Sequence, residues 1–278
     1  MKSELVQRFD SLSDWHQWLA GAPGQRNPAV IEAMAASVRA SGLVEPLTHA
    51  RYTCGDISSR GNNHRESLRA GKLISRQRAV CLALTHLAED QARKLDRRSR
   101  IYATEALTDF ALFFRGLFPR FLGSEYAPSI AEQEAIFPIV HQNLQALTFP
   151  AGCFDYVLSN DVLEHVPDLR ASLRECARIL LPGGVLVATF PFAFNSDQTI
   201  QKATLEHGQV VNIMEPEYHG NPMRPAEGSL VFQIPGWSVI ETARSEGFAD
   251  AYFLYISSQH HGILGGDLAG IFVFIAAK

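Results

Sequence analysis

The sequence predicts an α/β protein: a doubly wound, mostly parallel sheet with an antiparallel edge hairpin, preceded by a mainly helical extension. Three observations carry this expectation. From residue 100 onward, short apolar runs alternate with helical stretches, the pattern of parallel βαβ units. The last two runs are joined by the Gly-rich link HHGILGGDLAG, which leaves no room for a crossover helix, so they are expected to pair as a hairpin. Before residue 100, apolar residues fall mostly at helical spacing.

In chain order, Ser11–Ala20 and Pro28–Ala40 place apolar residues three and four apart, with Gly21, Gly24 and Gly42 as stops. The stretch 43–73 is rich in Gly, Ser, Asn and Arg and reads as an irregular connector. Arg76–Lys94 is a third helix, with Val80, Leu82, Leu84 and Leu87 on or near one face. The expected strands are Ile101–Thr104, Phe121–Ser124, Phe154–Ser159, Val185–Phe190, Ala251–Ile256 and Ile271–Ala276, with helices at Leu107–Leu117 and Leu169–Leu181. The change of texture puts a boundary near Asp96–Arg100, giving an extension over 1–98 and a sheet domain over 99–278. The apolar helix faces of the extension need a partner surface, and it is expected to cover the acceptor side of the sheet.

Composition narrows the function classes. The chain has 278 residues, 46% hydrophobic and 19% charged, with a net charge of -4, which excludes collagen, coiled-coil and disordered classes. The longest nearly apolar run, Val185–Phe194, contains a proline and is too short to span a bilayer as a helix. The opening MKSELVQRFD has no apolar h-region, so no signal peptide is expected. Cys54, Cys81, Cys153 and Cys176 form no CxxC pair, which argues against a disulfide framework and for a reducing, cytoplasmic compartment. Residues 1–100 carry 16 Lys and Arg against 10 Asp and Glu, concentrated between Arg60 and Arg100. Two readings of that cluster stay open, a solvated helix face or a surface for an anionic acceptor. Few aromatics interleave with it, which speaks against nucleic acid.

The most informative stretch runs from Phe149 to Phe192, FPAGCFDYVLSNDVLEHVPDLRASLRECARILLPGGVLVATFPF. Its first strand ends in Asn160-Asp161, where ligands of open α/β sheets bind. A helix follows, and Leu181-Pro182-Gly183-Gly184 is a stop and turn before the next strand. With its fourth strand, LEH segment, LPGG turn and fifth strand in order, this stretch resembles the class I S-adenosylmethionine-dependent methyltransferases of the type-11-like group. The resemblance covers roughly residues 100–278 and implies a Rossmann-like sheet of seven strands and S-adenosylmethionine as cofactor.

Residue by residue, the resemblance assigns the cofactor site. Glu105 closes the first strand and would hold the methionine ammonium, although the following Ala106-Leu107-Thr108-Asp109 lacks the family's glycines. Glu125 closes the second strand about twenty residues later and would accept both ribose hydroxyls. Asn143 stands where a polar side chain meets the adenine amino group, with Leu144 covering the ring; capping of a turn is the other reading of Asn143. Asn160 and Asp161 complete the set.

Two further segments bear on the acceptor and on metal. Glu215–Pro222 contains PEYHG, resembling relatives encoded near glycan-building enzymes, and supplies His219 as candidate base with Tyr218 and Asn221 shaping the acceptor pocket. A turn residue bonded to backbone is the other reading of His219. Some related methyltransferases carry an N-terminal zinc ribbon before an Arg-rich helix start like SRQRA. Here Tyr52-Thr53-Cys54-Gly55 keeps one cysteine, so the region reads as a degenerate ribbon and no metal is expected, with His49 and His64 as exposed loop residues.

The expectation is a methyltransferase acting on a hydroxyl of a sugar or other small molecule, with no membrane span and a homodimer left open as an assembly. Three alternatives stay open: an RNA acceptor, a cofactor-dependent reaction other than methyl transfer such as cyclisation, and a non-catalytic binding module.

Overall fold

The computed structural model describes residues 4–90 and 95–278. It divides into two compact units, one comprising the chain up to Asp96 with Tyr252–Phe274, the other Arg97–Ala251 with Ile275–Lys278.

Among the described residues the central sheet has eight strands: β1 (Glu4–Phe9), β2 (Ile101–Ala103), β3 (Phe121–Glu125), β4 (Val140–His141), β5 (Phe154–Asn160), β6 (Leu180–Thr189), β7 (Asp250–Ser258) and β8 (Ile271–Ala277). Their order is β1-β7-β8-β6-β5-β2-β3-β4. The sequence leads to seven strands, and β1 is the eighth. It pairs antiparallel with β7, from Glu4 opposite Ser258 to Phe9 opposite Phe253, and therefore takes the edge expected for the β7–β8 hairpin. Only Phe9 of β1 is fully buried, so its apolar signal is too thin to read as a strand before a partner is known.

The helices are α1 (Leu12–Ala20), α2 (Pro28–Ser41), α3 (His64–Ser67), α4 (Ser75–Asp90), α5 (Asp109–Leu117), α6 (Ile130–Ile136), α7 (Leu169–Ile179) and α8 (Val239–Ser245). Polar caps set their starts: Ser11, Asn27, Thr108, Ser129 and Asp168 each accept a backbone N–H of the following turn. The end of the third expected helix, residues 91–94, lies outside the described residues. The connector over 43–73 is more ordered than its composition suggests, with a two-stranded pair at Leu43–Val44 and Arg51–Tyr52 and three short strands at Ile57–Ser58, Arg69–Ala70 and Leu73–Ile74. They close over an apolar cluster of Ala35, Val38, Leu43, Leu68, Ala70 and Leu264. His64, expected on the surface, is buried and bonded to Ser59 and Glu32, while His49 is exposed.

The arginines between Arg60 and Arg100 do not make one solvated face. Arg65 and Arg76 share Glu66, Arg100 pairs with Asp155, and Arg78 is fully buried. Four backbone carbonyls, of Leu68, Leu73, His261 and Gly262, accept from the Arg78 guanidinium at 2.6–3.0 Å.

In the unit containing β2–β6, neighbouring strands run parallel, and β2 pairs with β5 on one side and β3 on the other. Chain order runs outward to β4 and then restarts at β5, so the switch point lies between β2 and β5. The LPGG segment follows the end of α7, where a Cβ on Gly184 would sit 2.9 Å from the Leu181 carbonyl oxygen and 3.1 Å from that of Asp155.

Candidate active site

The carboxyl ends of the parallel strands bring together most of the residues expected to hold a cofactor. Glu105, just beyond β2, is buried and accepts from Asn160 Nδ2 at 2.6 Å. Asn160 ends β5, and its Oδ1 lies 3.5 Å from Thr189 Oγ1 at the end of β6. Asp161 follows with φ +50°, its N–H donating to the Thr189 carbonyl at 2.8 Å. Three adjacent strand ends thus converge on one polar patch at the switch point.

Glu125, the last residue of β3, accepts the backbone N–H groups of Ala106 at 2.8 Å and Leu107 at 2.9 Å, both on Oε1. These bonds hold the glycine-free loop. The close approach that glycines would allow within that loop is supplied by the neighbouring strand, because a Cβ on Gly123 would lie 2.4 Å from the Glu105 carbonyl oxygen. A carboxylate offers about four acceptor positions, so Oε2 remains for a further donor.

Beyond β4, Asn143 uses Oδ1 to accept the N–H of Gln145 at 3.0 Å, and its carbonyl accepts from Ala146. That is the turn-capping geometry. Leu144 beside it is buried.

The residues expected to face the acceptor sit on or beside a small hairpin in which Tyr218–His219 pairs with Ser229–Leu230. Tyr218 is exposed. Asn221 donates to Ser229 Oγ at 2.8 Å and accepts from Met223 at 2.7 Å, so both ends of its amide hold the hairpin. His219 stands between two carboxylates: Nε2 is 3.1 Å from Glu217 Oε1, and Nδ1 is 3.5 Å from Glu164 Oε1. Its pKa is raised by Glu164 and then Glu217, against an opposing effect of burial. Glu217 is held below the usual carboxylate range by Lys202 and His219.

Glu164 and His165 complete this cluster, and sequence reasoning does not assign either to the site. They lie on a 3₁₀ turn, Leu163–His165, directly after the β5 strand end. Glu164 is fully buried with neither carboxylate oxygen hydrogen-bonded, and its pKa is raised, chiefly by desolvation. The two readable signals are the Glu-His pair in LEH and the histidine of PEYHG. Three residues lie between Asn160 and Glu164, so their Cα atoms lie within about 14 Å of each other.

The family model described as "Methyltransferase domain" matches residues 119–188, which run from the start of β3 to the end of β6. A protein of Mycolicibacterium smegmatis described as a "probable S-adenosylmethionine-dependent methyltransferase" is 36% identical over 127 residues, 44% of this chain and 45% of its own. Demethylmenaquinone methyltransferase of Bacillus licheniformis is 41% identical over 63 residues, 21% of this chain and 27% of its own. The chain therefore spans less than half the length of these curated relatives. A crystal structure of an S-adenosylmethionine-dependent methyltransferase from Mesorhizobium loti aligns over 65% of this chain and 91% of its own, with 16% identity and a TM-score of 0.40. Residues 119–188 match that domain model and lie within the parallel part of the central sheet. Among the described residues, no helix is long and apolar enough to cross a membrane.

Proposed function

We propose that the chain is an S-adenosylmethionine-dependent methyltransferase, acting in the cytoplasm on a hydroxyl of a small molecule such as a sugar or a phenol-like ring. The observation that carries this reading is the convergence of Glu105, Glu125 and Asn160 on the switch point, inside and beside the segment that matches the methyltransferase domain. Carboxylates there suit a ligand that bears an ammonium, a sulfonium and a ribose diol.

The bound cofactor supplies an electrophilic methyl group on a positively charged sulfur. The chain's own residues do the rest. Glu105 is positioned by Asn160 to receive an ammonium, and Glu125 fixes the loop with one oxygen while presenting the other to hydroxyls. Leu144 offers an apolar surface for a flat ring. Methyl transfer is an in-line displacement that depends mainly on holding the acceptor oxygen in place and removing its proton. We assign the handling of that proton to the cluster containing His219, with Tyr218 at its exposed side. The internal pairing of Arg65, Arg76, Arg78 and Arg100 favours a small-molecule acceptor over RNA.

The test is calorimetric titration of the full chain with S-adenosylmethionine and its demethylated product. Binding is expected, and Glu125→Ala should weaken it by at least about tenfold, since a hydrogen bond to a charged group contributes roughly 1.5–3 kcal/mol. Unchanged affinity in the variant would remove Glu125 from the site. No binding by the native chain would overturn the reading.

A further inference from the structure

Three potential metal ligands converge beside the cofactor patch. One ligand atom each from Glu164, His165 and His219 lies within 4.8 Å of the others. From Glu164 Oε1 the distances are 3.6 Å to His165 Nε2 and 3.5 Å to His219 Nδ1. These are too long for good hydrogen bonds, but ligands about 2.0–2.2 Å from a tetrahedral ion lie roughly 3.3–3.6 Å apart.

Both imidazoles are oriented from outside the cluster. His165 Nδ1 lies 2.8 Å from the Leu230 carbonyl oxygen, which can only accept, so Nδ1 carries the hydrogen and the neutral ring turns the Nε2 lone pair towards Glu164. His219 Nε2 lies 3.1 Å from Glu217 Oε1, and Glu217 is itself anchored by Lys202, which leaves Nδ1 as the inward lone pair. A carbonyl behind one histidine and a carboxylate behind the other are the outer partners that metal-binding histidines usually have. Glu164 supplies a separate observation. It is fully buried, points at both rings, and has no hydrogen bond to either oxygen. A buried carboxylate in that state lacks the compensation that an ion would provide.

We propose that Glu164, His165 and His219 bind a divalent first-row transition-metal ion. One carboxylate and two imidazoles select zinc, iron(II), cobalt or manganese over calcium or magnesium, which favour all-oxygen shells. Three protein ligands leave a position open for water or an acceptor oxygen, as in catalytic rather than structural sites. On the methyltransferase reading, that position is where a hydroxyl would be held and acidified, with His219 as a ligand in place of a base. Metal binding itself does not depend on that reading.

The experiment uses the full chain stripped with chelator and dialysed, without cofactor. Titration with zinc and with cobalt chloride should give one ion per chain. The cobalt form should show visible d–d bands without the thiolate charge-transfer absorption that cysteine ligands would add. Glu164→Gln, His165→Ala and His219→Ala should each weaken binding by at least a hundredfold, while His207→Ala, an exposed histidine on another hairpin, should bind as the native chain does. If a cluster variant fails to fold, the cobalt spectrum of the native chain decides alone. No stoichiometric binding, thiolate bands, or full affinity in folded cluster variants would overturn the proposal. Because S-adenosylmethionine binding is measured separately, its failure would be a different result from this one.

Discussion

Each compact unit holds an ionisable side chain at zero exposure, Arg78 in one and Glu164 in the other, and the two are treated in opposite ways. Arg78 is completely buried, and four backbone carbonyls accept from its guanidinium. Burial lowers its pKa to about 10, so it still carries its charge at neutral pH. Glu164 is equally buried, but its oxygens have no hydrogen bond within normal distance, only His219 and His165 at 3.5 and 3.6 Å, and desolvation outweighs them to raise its pKa. A satisfied buried charge organises the chain around it: Arg78 ties the segment 68–73 to the turn at 261–262. An unsatisfied one costs stability in the absence of a ligand. The difference separates a residue that builds the fold from one that, on our proposal, serves a metal site.

The largest expected effect is at Arg78. Arg78→Ala would leave several buried carbonyls without donors and should destabilise the chain by roughly 3–5 kcal/mol. Urea unfolding followed by circular dichroism would measure this, and Arg78→Lys should recover only part, because an ammonium cannot match the planar fork. A loss below 1 kcal/mol in the alanine variant would break the contrast.

Glu164→Gln should act in the opposite direction. In chelator-treated protein at alkaline pH, where the neighbouring His219 is neutral and no longer offsets the carboxylate, the uncharged amide removes the burial cost, and Tm should rise by about 2–4 °C for each kcal/mol recovered. Differential scanning calorimetry of the two stripped proteins checks it. A fall in Tm would mean that Glu164 has a stabilising partner and belongs with Arg78.

The smallest effect concerns a surface pair, where neither rule applies. Glu132 accepts from Arg224 and Ser129, in that order of influence, and its pKa is held down at about 2. A depressed folded-state pKa contributes stability above the unfolded value of about 4.3 and loses it as pH falls towards 2. Melting temperatures of Glu132→Gln should match the native chain more closely near pH 2 than at pH 5. Equal offsets at both pH values would show that the pair contributes nothing measurable.

The same contrast marks the limit of the sequence as a guide. Strands β2, β3, β5 and β6 and helix α7 were legible because their signals are local, apolar runs of strand length and helical spacing; LPGG, expected as a turn, is instead the irregular start of β6, where the register with β5 shifts. The strand-end acids Glu105 and Glu125 were legible by position along the same pattern, and they do stand at the carboxyl edge. β1 was not, because a half-exposed strand is identified by its pairing with β7 rather than by its own composition. Arg78 read as one member of a basic surface run, and only the folding of distant carbonyls around it made it a buried centre. The Glu164, His165 and His219 cluster joins a turn after β5 to a hairpin more than fifty residues later. Local pattern determines which segments become strands and helices, since those preferences act between near neighbours. Which charges are buried, and whether they find partners, depends on contacts between distant segments and was decided only by the tertiary structure.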